Sequence, residues 1–246
     1  MRTKAYIIQS TGFIFVRIGT LIVVASLLII LGFIFFKGFS ALSWEFLSGM
    51  PENEMTGGGI FPAIAGTFYL MTGSSVISIP IGIITAIYLT EYAKSPKIVK
   101  IIRLGINNLA GVPSVVFGLF GLSLFVIFFG FGTSILAGSL TLGLLNLPVI
   151  IRSTEESLQV VPGTYREASL SLGATKWQTI YKIILPDALP GIMTGIMLSL
   201  GRAAGETAPV MFTAAAFYTP DLPASVFNEI MVLPYHIYVM ATAGTH

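Results

Sequence analysis

The chain has 246 residues, 54% of them hydrophobic and 10% charged, against about 25% charged in ordinary soluble domains. No soluble core of this size hides so much apolar surface, so the expected solvent is a bilayer. The net charge of +2 gives no sign of a nucleic-acid partner, the absence of cysteine excludes disulfides and thiolate metal sites, and His236 and His246 form no credible metal cluster.

The N-terminus is basic and leads into an uncharged run at 18–36. A membrane helix needs about 20 apolar residues and signal-peptide cores are shorter, so this run predicts an uncleaved first span. The 36 residues between Glu54 and Glu91 are also uncharged. Their start is too rich in Gly and Pro for a lipid-facing helix, which places the second span near 66–88, kinked at Pro80. A further 48 uncharged residues at 104–151 are too many for one crossing. A break at 130–134 divides them into spans near 108–129 and 133–151. Within the third span, Gly111, Gly118 and Gly121 predict a close-packing stripe. A fifth apolar run at 188–210 is interrupted by Arg202 and Glu206. The tail at 212–246 holds Asp221, Glu229 and three prolines, and shows no clean span.

Lys and Arg favour cytoplasmic loops. With these spans, Arg2, Lys4, Arg17, Lys94, Lys97, Lys100, Arg103, Arg152, Arg166, Lys176 and Lys182 all fall on one side. The expected topology puts the N-terminus in the cytoplasm and everything after residue 210 outside.

The cytoplasmic loop at 152–187 carries three capping boxes, Ser153 to Glu156, Thr164 to Glu167 and Thr175 to Gln178. Each pairs a hydroxyl with a carboxylate or amide three residues on, which predicts three helix starts. Gly173 suits a left-handed cap ending the middle helix at about 165–172. A helix of two turns is marginal alone in water, so a partner surface is expected to hold it, with Ala168, Ser169 and Ser171 small enough for another backbone to approach. The plainer alternative is an amphipathic loop lying on the membrane, which Trp177 and Tyr181 would suit.

The run Glu167-Ala168-Ser169, Gly173, Ile183-Ile184-Leu185-Pro186 resembles the signature of the membrane subunit of prokaryotic ABC importers. The segments GGGIFPAIAGT (57–67), IYLTEYA (87–93), NNLAGVPSVVFGLFGL (107–122), IRSTEESLQVVP (151–162) and GRAAGETAPV (201–210) further resemble importers of the phosphate type, nearer the A-type than the C-type permease. The resemblance implies an all-α polytopic transmembrane bundle, a single domain over 1–246 with its core at about 55–210. Five spans are visible, and the sixth that the family normally has is expected but absent from this chain. It also implies a prokaryotic cell-membrane location, two copies of an ABC ATPase, a second homologous permease and an extracytoplasmic phosphate-binding protein. Coupling to the ATPase falls on Tyr165, Glu167, Ala168, Ser169 and Gly173. Ser169 replaces the second Ala of the signature, a small-for-small change.

Arg202 and Glu206 are the ionisable pair inside an apolar span, where a charge at a helix centre costs about 2.5–3.5 kcal/mol on insertion scales. At i and i+4 they share a face and can pair. Such a pair is either static glue or part of a phosphate pathway, in which the planar Arg fork matches phosphate oxygens and Glu holds it in the anion's absence. Arg152 is a second candidate station or an interfacial anchor. Thr207, Asn107, Asn108 and Ser114 could add neutral donors. No Gly-Lys-Ser/Thr follows a glycine-rich turn, so no Walker A loop and no ATP hydrolysis of its own are expected; nor is any cofactor. The rival readings are an ABC permease for molybdate or sulfate, and a secondary transporter, which would place acidic residues in several spans.

Overall fold

The computed structural model describes residues 2–52, 57–219 and 221–243, so Glu54, the start of the second uncharged stretch, and His246 lie outside it. The chain divides into two compact units, Met1–Gly49 and Met50–His246.

The first unit is built on α1 (Arg2–Gly38). Its 37 residues make about 55 Å of helix, enough to cross the roughly 30 Å hydrocarbon layer. Thr20 and Ser26 donate their hydroxyls to the carbonyls of Val16 and Ile22, so these polar groups are satisfied within the helix. A single-turn helix, α2 (Trp44–Ser48), follows, with Ser43 accepting from the Phe46 amide as its N-cap.

The second unit opens on a small antiparallel ribbon, β1 (Pro51–Glu52) with β2 (Gly57–Gly58). Then comes α3 (Phe61–Ile87), continued by a π-helical turn, Tyr88–Tyr92. The helix begins five residues before the predicted 66, because Pro62 occupies its first turn, where the missing N–H costs nothing. Pro80 lies inside it as expected. Gly66, Leu70, Ser74, Ser78, Gly82 and Ala86 are buried at every fourth position. This row faces α6 (Ile135–Val160), where Gly82 meets Ile150 and Gly138 meets Leu70. Small residues let the two backbones approach, which is how helices associate in lipid without a hydrophobic drive.

The predicted third span at 108–129 is not one helix. α4 (Pro96–Ala110) turns through 99° into α5 (Ser114–Gly121) and its π-helical continuation, Leu122–Phe128. Gly111-Val112-Pro113 makes the corner, since Pro113 lacks a donor and disfavours helix at Val112. Gly118 and Gly121 do pack closely, against α10 (Ala208–Thr213) and Thr141, whereas Gly111 sits at the corner and joins no such stripe.

Gly130 and Gly132, both with positive φ, form the expected break before α6. That helix runs nine residues beyond the predicted end at 151. The loop follows as α7 (Gly163–Ser171) and α8 (Lys176–Thr179), then a third π-helical turn, Ile180–Ile184, leads into α9 (Leu185–Gly205). Gly191 and Gly195 of α9 receive Ser157 and Ser153 of α6. The predicted fifth run breaks at Glu206, with α10 beyond it.

The tail folds back on the unit. Thr213, Val226 and Asn228 carbonyls accept from Ser134, Leu136 and Ile135, satisfying amides at the start of α6, and the Met231 carbonyl lies against Gly66. The last described element is α11 (Leu233–Ala243). Across the described residues, four helices are long and apolar enough to cross a membrane, or five with the bent α4–α5 pair counted as one.

Candidate functional site

The polar loop gathers at the end of the unit where α3 and α6 finish. Of the three predicted capping boxes one forms: Thr175 accepts from the Gln178 amide while the Gln178 side chain accepts from the Thr175 amide at 2.8 Å. Ser153 instead sits inside α6, its hydroxyl seated on Gly195, because packing against α9 extends the helix through that position. The Thr164 to Glu167 box does not form either, since α7 starts from Pro162 with no side-chain cap.

The end of α7 is as expected. Gly173 has φ +81, its amide donates to the Leu170 carbonyl at 3.0 Å, and the Ala174 amide donates to the Ser169 carbonyl at 3.2 Å. These are the two bonds of a Schellman turn. Tyr165, Glu167, Ala168 and Gly173 are exposed, and Leu172 is 89% exposed. Ser169 departs from expectation: it is buried, with its hydroxyl 2.8 Å from that of Thr179, so it ties α7 to α8 and leaves no room there for a partner's backbone.

A second side chain fixes the loop. Arg166 donates through Nε (3.1 Å) and Nη2 (2.8 Å) to Oε1 of Glu91, through Nη2 to the Leu158 carbonyl (2.9 Å) and through Nη1 to the Val161 carbonyl (2.8 Å). Lys176 donates to the Glu91 carbonyl and lies 4.9 Å above the Tyr92 ring. Beneath these groups Ile87, Leu158, Val161, Ile180 and Ile184 form one buried apolar cluster.

Arg202 and Glu206 form the expected pair, Nε to Oε1 at 3.1 Å, with side chains 40% and 15% exposed. Arg202 stands in the last turn of α9, where a cation complements the helix dipole, and Glu206 is the residue just past the helix end. The pair therefore sits at a break between helices, not within a continuous one. Arg152 pairs with Glu156 at 3.0 Å on α6. Beside it Arg103, from α4, holds Glu155 at 3.0 Å. Arg103, Asn107, Arg152, Glu155, Glu156 and Gln159 line a polar cavity of about 230 Å³. Asn107 and Arg152 thus line one cavity, whose lining does not include the Arg202–Glu206 pair. Sequence alone missed Arg103, Glu155 and Glu91 as partners, because 52 and 75 residues separate them from their pairs.

The arrangement offers four arginines that hold carboxylates, of which Arg152 and Arg202 are among the more exposed, and an exposed short helix tied to the ends of two long ones. The chain is 36% identical over 235 residues to the probable ABC transporter permease protein YqgI of Bacillus subtilis, covering 91% of this chain and 80% of that protein. It is 39% identical to the phosphate transport system permease protein PstA of Mycobacterium leprae, covering 90% and 74%. To PstA 1 of Mycobacterium tuberculosis the identity is 41%, covering 78% of this chain and 63% of that protein. A solved structure of the MetNI methionine ABC transporter, inward facing, aligns with 59% of this chain and 70% of its own at 26% identity and a TM-score of 0.48. Residues 78–242 match the family of binding-protein-dependent transport system inner membrane components, and the chain belongs to that family of membrane permeases.

Proposed function

We propose that this chain is the transmembrane permease subunit of an ATP-driven phosphate import system. The observation that carries the reading is its 39–41% identity, over 78–90% of its length, to proteins named as phosphate transport permeases. The expected partners are ABC ATPase subunits, a second homologous permease and an external phosphate-binding protein. The chain supplies no Walker A loop, so the ATPase subunits hydrolyse ATP. The basic loop end of the second unit faces the cytoplasm, and the N-terminus lies there too.

In this reading Tyr165, Glu167, Ala168 and Gly173 present α7 to the ATPase, while Ser169 holds α7 on α8. A helix of nine residues cannot hold its shape alone in water, so both the ties beneath it and the partner above it matter. Arg202 and Arg152 serve as phosphate contacts. Each now forms a single Nε–carboxylate bond, leaving the rest of its fork for an incoming anion. Glu206 and Glu156 neutralise the two forks between passages of the anion. ATP-driven movement of the loop rocks the helices that carry these arginines, exposing them to one side and then the other.

Purification from native membrane followed by competition tests this directly. The chain should co-purify with an ABC ATPase, and uptake of labelled phosphate should resist excess molybdate and sulfate. Inhibition by either oxyanion at equal concentration would reassign the cargo. Uptake that persists after ATP depletion and collapses with an ionophore would instead make it a secondary transporter.

A further inference from the structure

The contacts of Arg166 span three elements at once. One guanidinium bonds the carboxylate at the end of α3 and two terminal carbonyls of α6, while its own backbone belongs to α7. The Glu91 side chain is 9% exposed and that of Arg166 is 24% exposed. Removing one partner of a buried pair strands the other charge, and a well-packed apolar pair is often as stable as an ion pair. The cluster beneath is wholly aliphatic, so stability alone would have been served by two more aliphatic side chains. An ion pair adds a fixed direction, since it holds α7 at one place on α3 and no other. Lys176 adds a second tie from α8 to the backbone of the same Glu91.

Two π-helical turns lie at this knot. Glu91 belongs to the π-helical turn Tyr88–Tyr92, in which the buried Thr90 hydroxyl has no partner among the described residues. The chain leaves the loop through a second π-helical turn, Ile180–Ile184. Such turns are rare overall and recur at functional sites.

We infer that Arg166 and Glu91 form the mechanical joint that links the ATPase-facing loop to α3, acting as positioning residues that set how much transport each ATP hydrolysed produces. The inference rests on the ATP-driven import reading above. It predicts a loss of coupling that is separate from any loss of docking. Glu91 is on the α3 side of the joint, away from the exposed face of α7, so it is the residue to change.

The complete complex, reconstituted in proteoliposomes, provides the test, with phosphate uptake and ATP hydrolysis measured on the same vesicles. Glu91→Gln should leave the ATPase bound and hydrolysing, while phosphate moved per ATP falls about tenfold, within the range of typical coupling energies. The chain has no cysteine, which permits a tethering control. Glu91→Cys combined with Arg166→Cys should be uncoupled when each thiol is capped singly, and coupled again when a short bifunctional reagent bridges the two. Recovery on bridging distinguishes a joint from a side chain needed only for folding. An unchanged ratio in Glu91→Gln overturns the joint, as does loss of ATPase binding in that variant or a bridged chain no better than a capped one. A wild-type complex that moves no phosphate on ATP rejects the import reading itself, before any substitution is made.

Discussion

At the scale of single residues, Arg202 separates a pathway from a scaffold. Its guanidinium is partly exposed and holds Glu206 through one bond. If it meets phosphate, Arg202→Gln removes a charge-assisted contact worth about 1.5–3 kcal/mol, and uptake should fall by about tenfold or more while the complex still assembles. Arg202→Lys should restore part of the loss, because a point charge lacks the planar fork. A scaffold role has the opposite signature, in which Arg202→Gln with Glu206→Gln regains normal uptake. Arg152 is open to the same measurement, with Arg103 as a neighbouring cation on the same cavity.

Among the elements, α7 depends on backbone conformation more than on space. A Cβ at Gly173 would meet nothing within 4 Å, yet φ is +81. Left-handed backbone costs a non-glycine residue roughly 1–2 kcal/mol, with Asn an occasional exception and β-branched residues the worst case. Gly173→Asn should therefore retain most uptake and ATPase co-purification, whereas Gly173→Val should lose both. The α6–α9 contact poses the reverse constraint, since a Cβ at Gly195 would overlap the Ser153 side chain. Gly195→Ala should lower the thermal unfolding midpoint in detergent, an overpacking cost of about 1–3 kcal/mol, and Ser153→Gly in the same chain should restore it.

These elements also mark the limits of reading the sequence. The apolar runs behind four of the spans, the Gly130–Gly132 break and the left-handed Gly173 are legible because each follows from local composition or from one backbone conformation. The Ser153 capping box is not, because a Ser-x-x-Glu run matches a helix start and a helix interior equally well, and the packing of Ser153 on Gly195 decides between them. Hydropathy at 104–151 measures apolar length and not direction, so the 99° turn is invisible to it, although Gly111-Val112-Pro113 carries a local signal. The Glu91–Arg166 pair has no local signal at all.

For the whole molecule, topology and drive are open to separate measurements. The basic loop residues cluster with the ends of α3 and α6, while Pro51 and Tyr218 meet toward the other end of the unit. With cysteines placed singly at Lys97, Trp177, Glu52 and Asp221, an impermeant thiol reagent applied to intact cells should label the last two only. Labelling at position 177 from outside would reverse the orientation. ATP drive is measured most directly as phosphate accumulation in proteoliposomes holding this chain with its ATPase, partner permease and binding protein. ATP supplied on the ATPase side should drive labelled phosphate from the binding-protein side to the ATPase side against its gradient, and omission of ATP should abolish it. Accumulation without ATP, or ATP hydrolysis with no phosphate movement in the wild-type complex, would contradict the assignment as an ATP-driven phosphate permease.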